Sequence, residues 1–160
     1  MKVKIKRFDR SLPLPAYQTR GAACVDLHAR TDVTIPPGVV GYVPLNVALE
    51  MPEGCWALVA ARGSTHRHGL LPAQGVGIGD WDFRGDGDEY RFAFYNFTSA
   101  PVTVARGTRI AQLMVLRYEP LELEEVEHLH AEDRGSYGST GTGLEPSAGS
   151  APGVTPPERS

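Results

Sequence analysis

Arg84-Gly-Asp-Gly-Asp-Glu-Tyr-Arg-Phe-Ala-Phe-Tyr95 joins a turn to a strand. Gly85 and Gly87, interleaved with Asp86 and Asp88, are residues that accept turn backbone. Directly after them Tyr90, Phe92 and Phe94 alternate with Arg91, Ala93 and Tyr95, and a period of two puts each set on its own face of a strand. The same alternation occurs at Val3 and Ile5 among Lys2, Lys4 and Lys6, and at Leu121 and Leu123 beside Glu122 and Glu124. Apolar runs at 39–49, 56–61, 102–104 and 110–116 are separated by Pro36-Pro37-Gly38, Pro52-Glu53-Gly54 and Arg106-Gly107. Many short strands with regular turns predict an all-β chain, a jelly-roll-like barrel. At most one short helix is expected, where Ser64-Thr65 offers a hydroxyl to cap a turn through His66 to His68.

At 160 residues and 17.3 kDa, with 41% apolar residues, the chain has the size of one domain with a real core. Gly (18) and Pro (13) leave few uninterrupted windows for helices, which excludes a helical bundle. A formal charge of −3 gives no reason to expect a nucleic-acid or anionic-membrane partner. Cys24 and Cys55 are too few for a disulfide scaffold and are expected as buried, reduced thiols. No run approaches the ~18 apolar residues of a membrane span, and the first ten residues lack the apolar core of a signal peptide, so a cytoplasmic protein is expected. Residues 142–160 are rich in Pro, Ser, Gly and Thr and are predicted to be a disordered tail. Residues 1–132 form the expected folded body, with a Gly-rich segment at 133–141 between the two.

Five stretches carry more charge, hydroxyl and glycine than plain turns need. They are Gly21-Ala-Ala-Cys-Val-Asp-Leu-His28, Ala61-Arg-Gly-Ser-Thr65, Gly77-Ile-Gly-Asp-Trp-Asp-Phe-Arg-Gly85, Gly107-Thr-Arg-Ile-Ala-Gln-Leu113 and Asp133-Arg-Gly-Ser-Tyr-Gly-Ser-Thr-Gly141. Arg beside Gly and Ser suits a phosphate: the guanidinium is a charged planar fork, and glycine lets backbone N–H groups approach the anion. Arg62-Gly63-Ser64 and Arg134-Gly135-Ser136 both have this form. Together with Ser139 and Thr140 they read as a flexible clamp for a polyphosphate.

In order and spacing the five stretches resemble the five motifs of the trimeric deoxyuridine triphosphatase (dUTPase) family over residues 1–141. The resemblance is closest to the phage and prophage branch, whose fifth motif is shortened. It implies a dUTPase-like β-clip fold and magnesium-dependent hydrolysis of dUTP to dUMP and pyrophosphate. It also implies a homotrimer in which the fifth motif closes over a neighbouring subunit's site. Asp80 falls where the family holds the general base that activates water for attack on the α-phosphate; Asp82 is close, and the family's register selects Asp80. Arg62, Gly63 and Ser64 fall in the phosphate motif, with Gly63 in place of a Ser. Asp26 falls at the carboxylate that meets magnesium indirectly, through water, the ion being held mainly by substrate phosphates. Gln74 stands at an Asn that reads the uracil edge, and Gly77 opens the same hairpin. Phe83 replaces a Tyr that packs on deoxyribose, and Gly79 replaces an aliphatic residue. Gln112 falls where the family faces the phosphates of a neighbouring subunit's ligand, while Arg109 reads either as a phosphate contact or as a structural ion-pair partner. By the same resemblance Arg134 would meet the γ-phosphate, Ser139 and Thr140 would donate to phosphate oxygens, and Tyr137 replaces a Phe that stacks on uracil.

Two other functions fit the same resemblance. A dCTP deaminase would need a catalytic Glu about three residues before Asn96, where this chain has Ala93. A catalytically weakened nucleotide-binding or regulatory protein is suggested by Gly63, Gln74 and Gly79. His66 with His68, and His128 with His130, read as solvated pairs. The seven carboxylates between Glu119 and Asp133 read as a solvated strand edge or rim.

Overall fold

The structure is a computed structural model, and it describes residues 1–135. Met1–Leu121 form one compact unit, and a second begins at Glu122. In the first unit the strands are β1 (Lys4–Arg7), β2 (Val25–His28), β3 (Val33–Ile35), β4 (Val40–Pro44), β5 (Val47–Glu50), β6 (Cys55–Ala61), β7 (Leu70–Pro72), β8 (Val76–Gly79), β9 (Arg91–Asn96), β10 (Val102–Val104) and β11 (Arg109–Arg117). They pair antiparallel in the orders β2-β11-β6-β8, β4-β9-β7, β1-β5 and β3-β10. The all-β expectation therefore holds, and the helical content among the described residues is one 3₁₀ turn, Thr65–His68.

The core lies between the sheets. Phe92 and Phe94 on β9 point inward with rings 5.0 Å apart, packed in one cluster with Leu27, Ile35, Val43, Val59, Ile110 and Leu113. At roughly 25 cal/mol per Å² of apolar surface removed from water, such side chains supply most of the drive to fold. Asn96 is fully buried and satisfied: its amide donates to the carbonyls of Ile35 (2.9 Å) and Ala100 (2.8 Å), and its oxygen accepts from Thr98.

Several expectations need correction. The run 39–49 is two strands, because Asn46 takes a positive φ of 69° between β4 and β5. Leu121 and Leu123 alternate but form no strand and are 84% and 87% exposed; pattern without a pairing partner gives no ladder. The acidic segment is exposed with no strand, so it is not a strand edge. Ser64 precedes the 3₁₀ turn without a side-chain capping bond; the hydroxyl that anchors the turn is that of Thr65, which donates to the Ile110 carbonyl. Both cysteines are free, but Cys24 is half-buried instead of buried.

A polar clamp fixes the chain before β2. The Asp9 carboxylate accepts from Ser11 N (2.9 Å), Ser11 Oγ (2.6 Å) and Arg106 Nη2 (2.6 Å). The Ser11 hydroxyl and then the Arg106 guanidinium hold this carboxyl down at about 2, from an ordinary 3.8. Because the folded value is the lower one, the clamp's stabilisation is present above pH ~4 and lost as pH falls toward ~2. Asp9→Asn is expected to lower the melting temperature at pH 7, with the gap to wild type closing between pH 4 and pH 2. A gap that stays constant across that range in thermal scans would show that Asp9 does not titrate this way.

Candidate active site

Two clefts carry the motif residues. The first, of about 700 Å³, opens beside β8 and is lined by Gln74, Gly77, Asp80, Phe83, Asp88 and Tyr90 among others. Asp80 lines it and Asp82 does not, which separates two carboxylates that are neighbours in sequence. The tip of the hairpin after β8 is closed by Phe83 N donating to the Asp80 carbonyl (3.2 Å) and by the Arg84 guanidinium lying 4.6 Å over the Trp81 ring. Gln74 Oε1 accepts from Ala93 N (3.1 Å). Its NH₂ is thereby fixed as the end that faces the cleft, a donor placed for a carbonyl oxygen.

The loop that carries the far wall is held by an ion pair between half-buried Arg30 and buried Glu89. Glu89 accepts from Arg30 Nε (2.7 Å) and Nη2 (2.9 Å), and also from Asn46 N (3.0 Å). The Glu89 carboxylate raises the pKa of the Arg30 guanidinium. Next to Glu89, Tyr90 is buried, and its hydroxyl has no hydrogen-bond partner among the described residues. Burial, with added repulsion from Asp80 and Asp88, pushes this phenol up to about 12, so it is neutral in ordinary buffers.

The second cleft, of about 440 Å³, is lined by Gln18, Cys24, Asp26, Arg62, Gly63, Ser64 and Gln112. Cross-strand register assembles it: Gln112 on β11 faces Asp26 on β2 on one side and Ala60 on β6 on the other. Arg62 Nε lies 3.2 Å and Arg109 Nη1 3.3 Å from Asp26 Oδ2, which is nearly buried. Arg109 Nη1 also donates to Gln18 (2.6 Å), Arg62 Nη1 to the Arg109 carbonyl (3.2 Å), and Gln112 Nε2 to the Ala61 carbonyl (3.1 Å). Arg62 Nη2 has no partner among the described residues. The result is two guanidinium groups and a hydroxyl loop around one carboxylate, a concave cationic surface suited to phosphate. His28, at the end of β2, is held below its ordinary pKa, first by burial and then by the Arg109 charge. A neutral imidazole there adds no cation of its own.

One chain does not bring Asp80 and Arg62 together. Gly79 pairs with Ala57 on β6, so Asp80 is level with Trp56, while Arg62 follows the other end of that strand. Six residues at ~3.3 Å each separate them by about 20 Å. Arg134 is exposed in the second unit, with no strand around it, and Tyr137, Ser139 and Thr140 lie outside the described residues.

The sequence model of the dUTPase family matches residues 10–143, most of the chain. The chain belongs to the dUTPase family. A deoxyuridine 5′-triphosphate nucleotidohydrolase from Dictyoglomus turgidum is 41% identical over 149 residues, covering 90% of this chain and 99% of the relative. A prophage-derived enzyme of the same name from Bacillus subtilis is 35% identical over 144 residues, covering 89% and 99%. Among solved structures, the dUTPase of Staphylococcus bacteriophage 80alpha superposes with a TM-score of 0.76 at 19% identity, covering 88% of this chain and 98% of that one. The dUTPase from Streptococcus mutans gives 0.67 at 23%, covering 74% and 98%.

Against the dUTPase motifs, two glycine substitutions now have a physical setting. A Cβ at Gly63 would meet nothing within 4 Å, so the side chain missing there is missing without any packing reason. A Cβ at Gly79 would fall on the Tyr90 hydroxyl and within 2.5 and 2.8 Å of its ring carbons. The volume given up at Gly79 is taken by Tyr90. Sequence reading missed Tyr90 because the two residues meet only through folding; no local pattern marks the pair.

Proposed function

We propose that this dUTPase-family chain hydrolyses dUTP to dUMP and pyrophosphate as a homotrimer, with each site built from more than one subunit. The observation that carries this reading is the separation of Asp80 from Arg62. The α-phosphate is bonded to the sugar's 5′ oxygen, so a carboxylate that acts on it and an arginine that lines its phosphates must lie within a few ångströms of the same molecule. About 20 Å along one strand cannot be spanned that way, whereas a second copy can present its Arg62 cleft to the first copy's Asp80 cleft. Exposed apolar side chains flanking the Asp80 cleft, Tyr42 (65%), Val76 (48%) and Ile78 (68%), offer a surface for such an assembly.

In the assembled site Gln74 donates to a uracil carbonyl and the Phe83 ring covers the deoxyribose, leaving no volume for a 2′-hydroxyl. Asp80 takes a proton from water as its oxygen bonds to the α-phosphorus; the α–β bridging P–O bond breaks and pyrophosphate leaves. Arg62, Ser64 and the backbone N–H of Gly63 on one neighbour, with Gln112, hold the phosphates in line and stabilise the charge that develops. Arg134, Tyr137, Ser139 and Thr140 close over the site as the fifth motif. Segment 133–141 is the lending arm in this reading, 1–132 the catalytic body and 142–160 a tail.

Magnesium fits the donor set. Asp26 is a hard oxygen donor beside the phosphate surface, and no group of three or more acidic, His or Cys side chains among the described residues forms a cage. Asp26 would meet, through water, an ion held mainly by the substrate phosphates. When bound, it supplies charge neutralisation on the triphosphate.

The test is pyrophosphate release, with magnesium, from dUTP, UTP and the four standard dNTPs, alongside the mass of the particle by sedimentation. Preferential cleavage of dUTP by a particle of three chain masses is expected. Equal rates on all nucleotides would remove the specificity, and an active monomer would remove the shared site. The dCTP deaminase reading is disfavoured because Ala93, at the position its Glu would need, is buried with its amide held by Gln74.

A further inference from the structure

The Tyr90 ring is the underside of the surface that the sugar would touch. It meets Phe83 edge-on, with centroids 5.4 Å apart and planes at 85°, an aromatic geometry with a directional preference beyond simple burial. Phe83 is itself 39% exposed on the hairpin after β8; among the ring contacts of the described residues, its partner is Tyr90. Tyr90 cannot drift. Its N–H donates to the Val47 carbonyl (2.9 Å), its carbonyl accepts from Leu45 N (2.9 Å), and its ring fills the notch over Gly79. A partly exposed hairpin ring is thus propped by a ring locked into the barrel wall.

We propose that Tyr90 is a positioning residue for sugar selectivity: through the Gly79 notch and its edge-on contact it fixes the Phe83 ring at the height that excludes a 2′-hydroxyl. This rests on the dUTP reading above and adds to it a residue outside the five motifs. The ring carries the role. The hydroxyl is buried without a partner among the described residues, and a neutral phenol in that state contributes nothing to Phe83 that a phenyl ring would lack.

The experiment compares kcat/KM for dUTP and UTP, and Kd for dUMP and UMP, in four proteins: wild type, Tyr90→Phe, Tyr90→Leu, and Tyr90→Leu combined with Gly79→Ala. Tyr90→Phe is expected to keep the wild-type preference for the deoxy form. Tyr90→Leu is expected to lower that preference about fivefold to tenfold, the scale of one aromatic pair, mainly by improved binding of the ribonucleotide. The double variant refills part of the notch, so its melting temperature recovers relative to Tyr90→Leu while the preference stays low; a purely structural role would restore both together. Loss of preference in Tyr90→Phe, or an unchanged preference in Tyr90→Leu, overturns the proposal. A wild type that fails to cleave dUTP defeats the hydrolase reading alone, because the dUMP to UMP binding ratios still decide Tyr90; equal ratios in all four proteins overturn it.

Discussion

Replacing Asp80 by Asn is expected to lower kcat by ~10²–10⁴-fold, the usual worth of a positioned general base, while Kd for the nucleotide stays within a few-fold of wild type. The amide keeps the size of the carboxylate and one acceptor oxygen, so it can still orient a water; it cannot take the proton. The local structure should tolerate the change. Asp80 is exposed at the hairpin, and the hydrogen bond that closes the turn uses its backbone carbonyl, not its side chain. Single-turnover pyrophosphate release and calorimetric binding, measured on the same preparation, separate the two quantities. Turnover within tenfold of wild type would move the base elsewhere, with Asp82 the next carboxylate to replace.

Arg62→Ala should cost about 10–100-fold in kcat/KM for dUTP, in line with the loss of a charge-assisted contact to phosphate. The melting temperature should move little. Asp26 keeps Arg109, which is itself tied to Gln18, so no buried carboxylate is stranded. Arg62→Lys should recover only part of the loss, since an ammonium replaces the fork by a point charge. A kcat/KM unchanged in Arg62→Ala would mean that the guanidinium serves Asp26 and not the substrate.

The sequence made some of this legible and not the rest, for reasons that lie in range. β6 and β11 are long enough for their apolar runs to stand out. β7 and β8 are not: Leu70–Pro72 ends in a residue that rarely sits inside a ladder, and Val76–Gly79 alternates apolar residues with glycine, so each looks like a turn. The candidate site residues are legible because motif spacing is local. Their split between two clefts is not, since it depends on Gly79 facing Ala57, two residues far apart in the chain. In sequence Arg109 is open between a phosphate contact and an ion-pair partner, and the register of β2 against β11 is what brings it to Asp26.

The placement of Asp80 level with one end of β6 and of Arg62 after the other has a genetic flavour. If each site takes one end from each of two copies, the Asp80→Asn and Arg62→Ala defects sit in different halves of a shared site. Subunits carrying the one and subunits carrying the other, each impaired alone, would complement when exchanged into mixed assemblies, because some sites would draw both halves from undamaged ends.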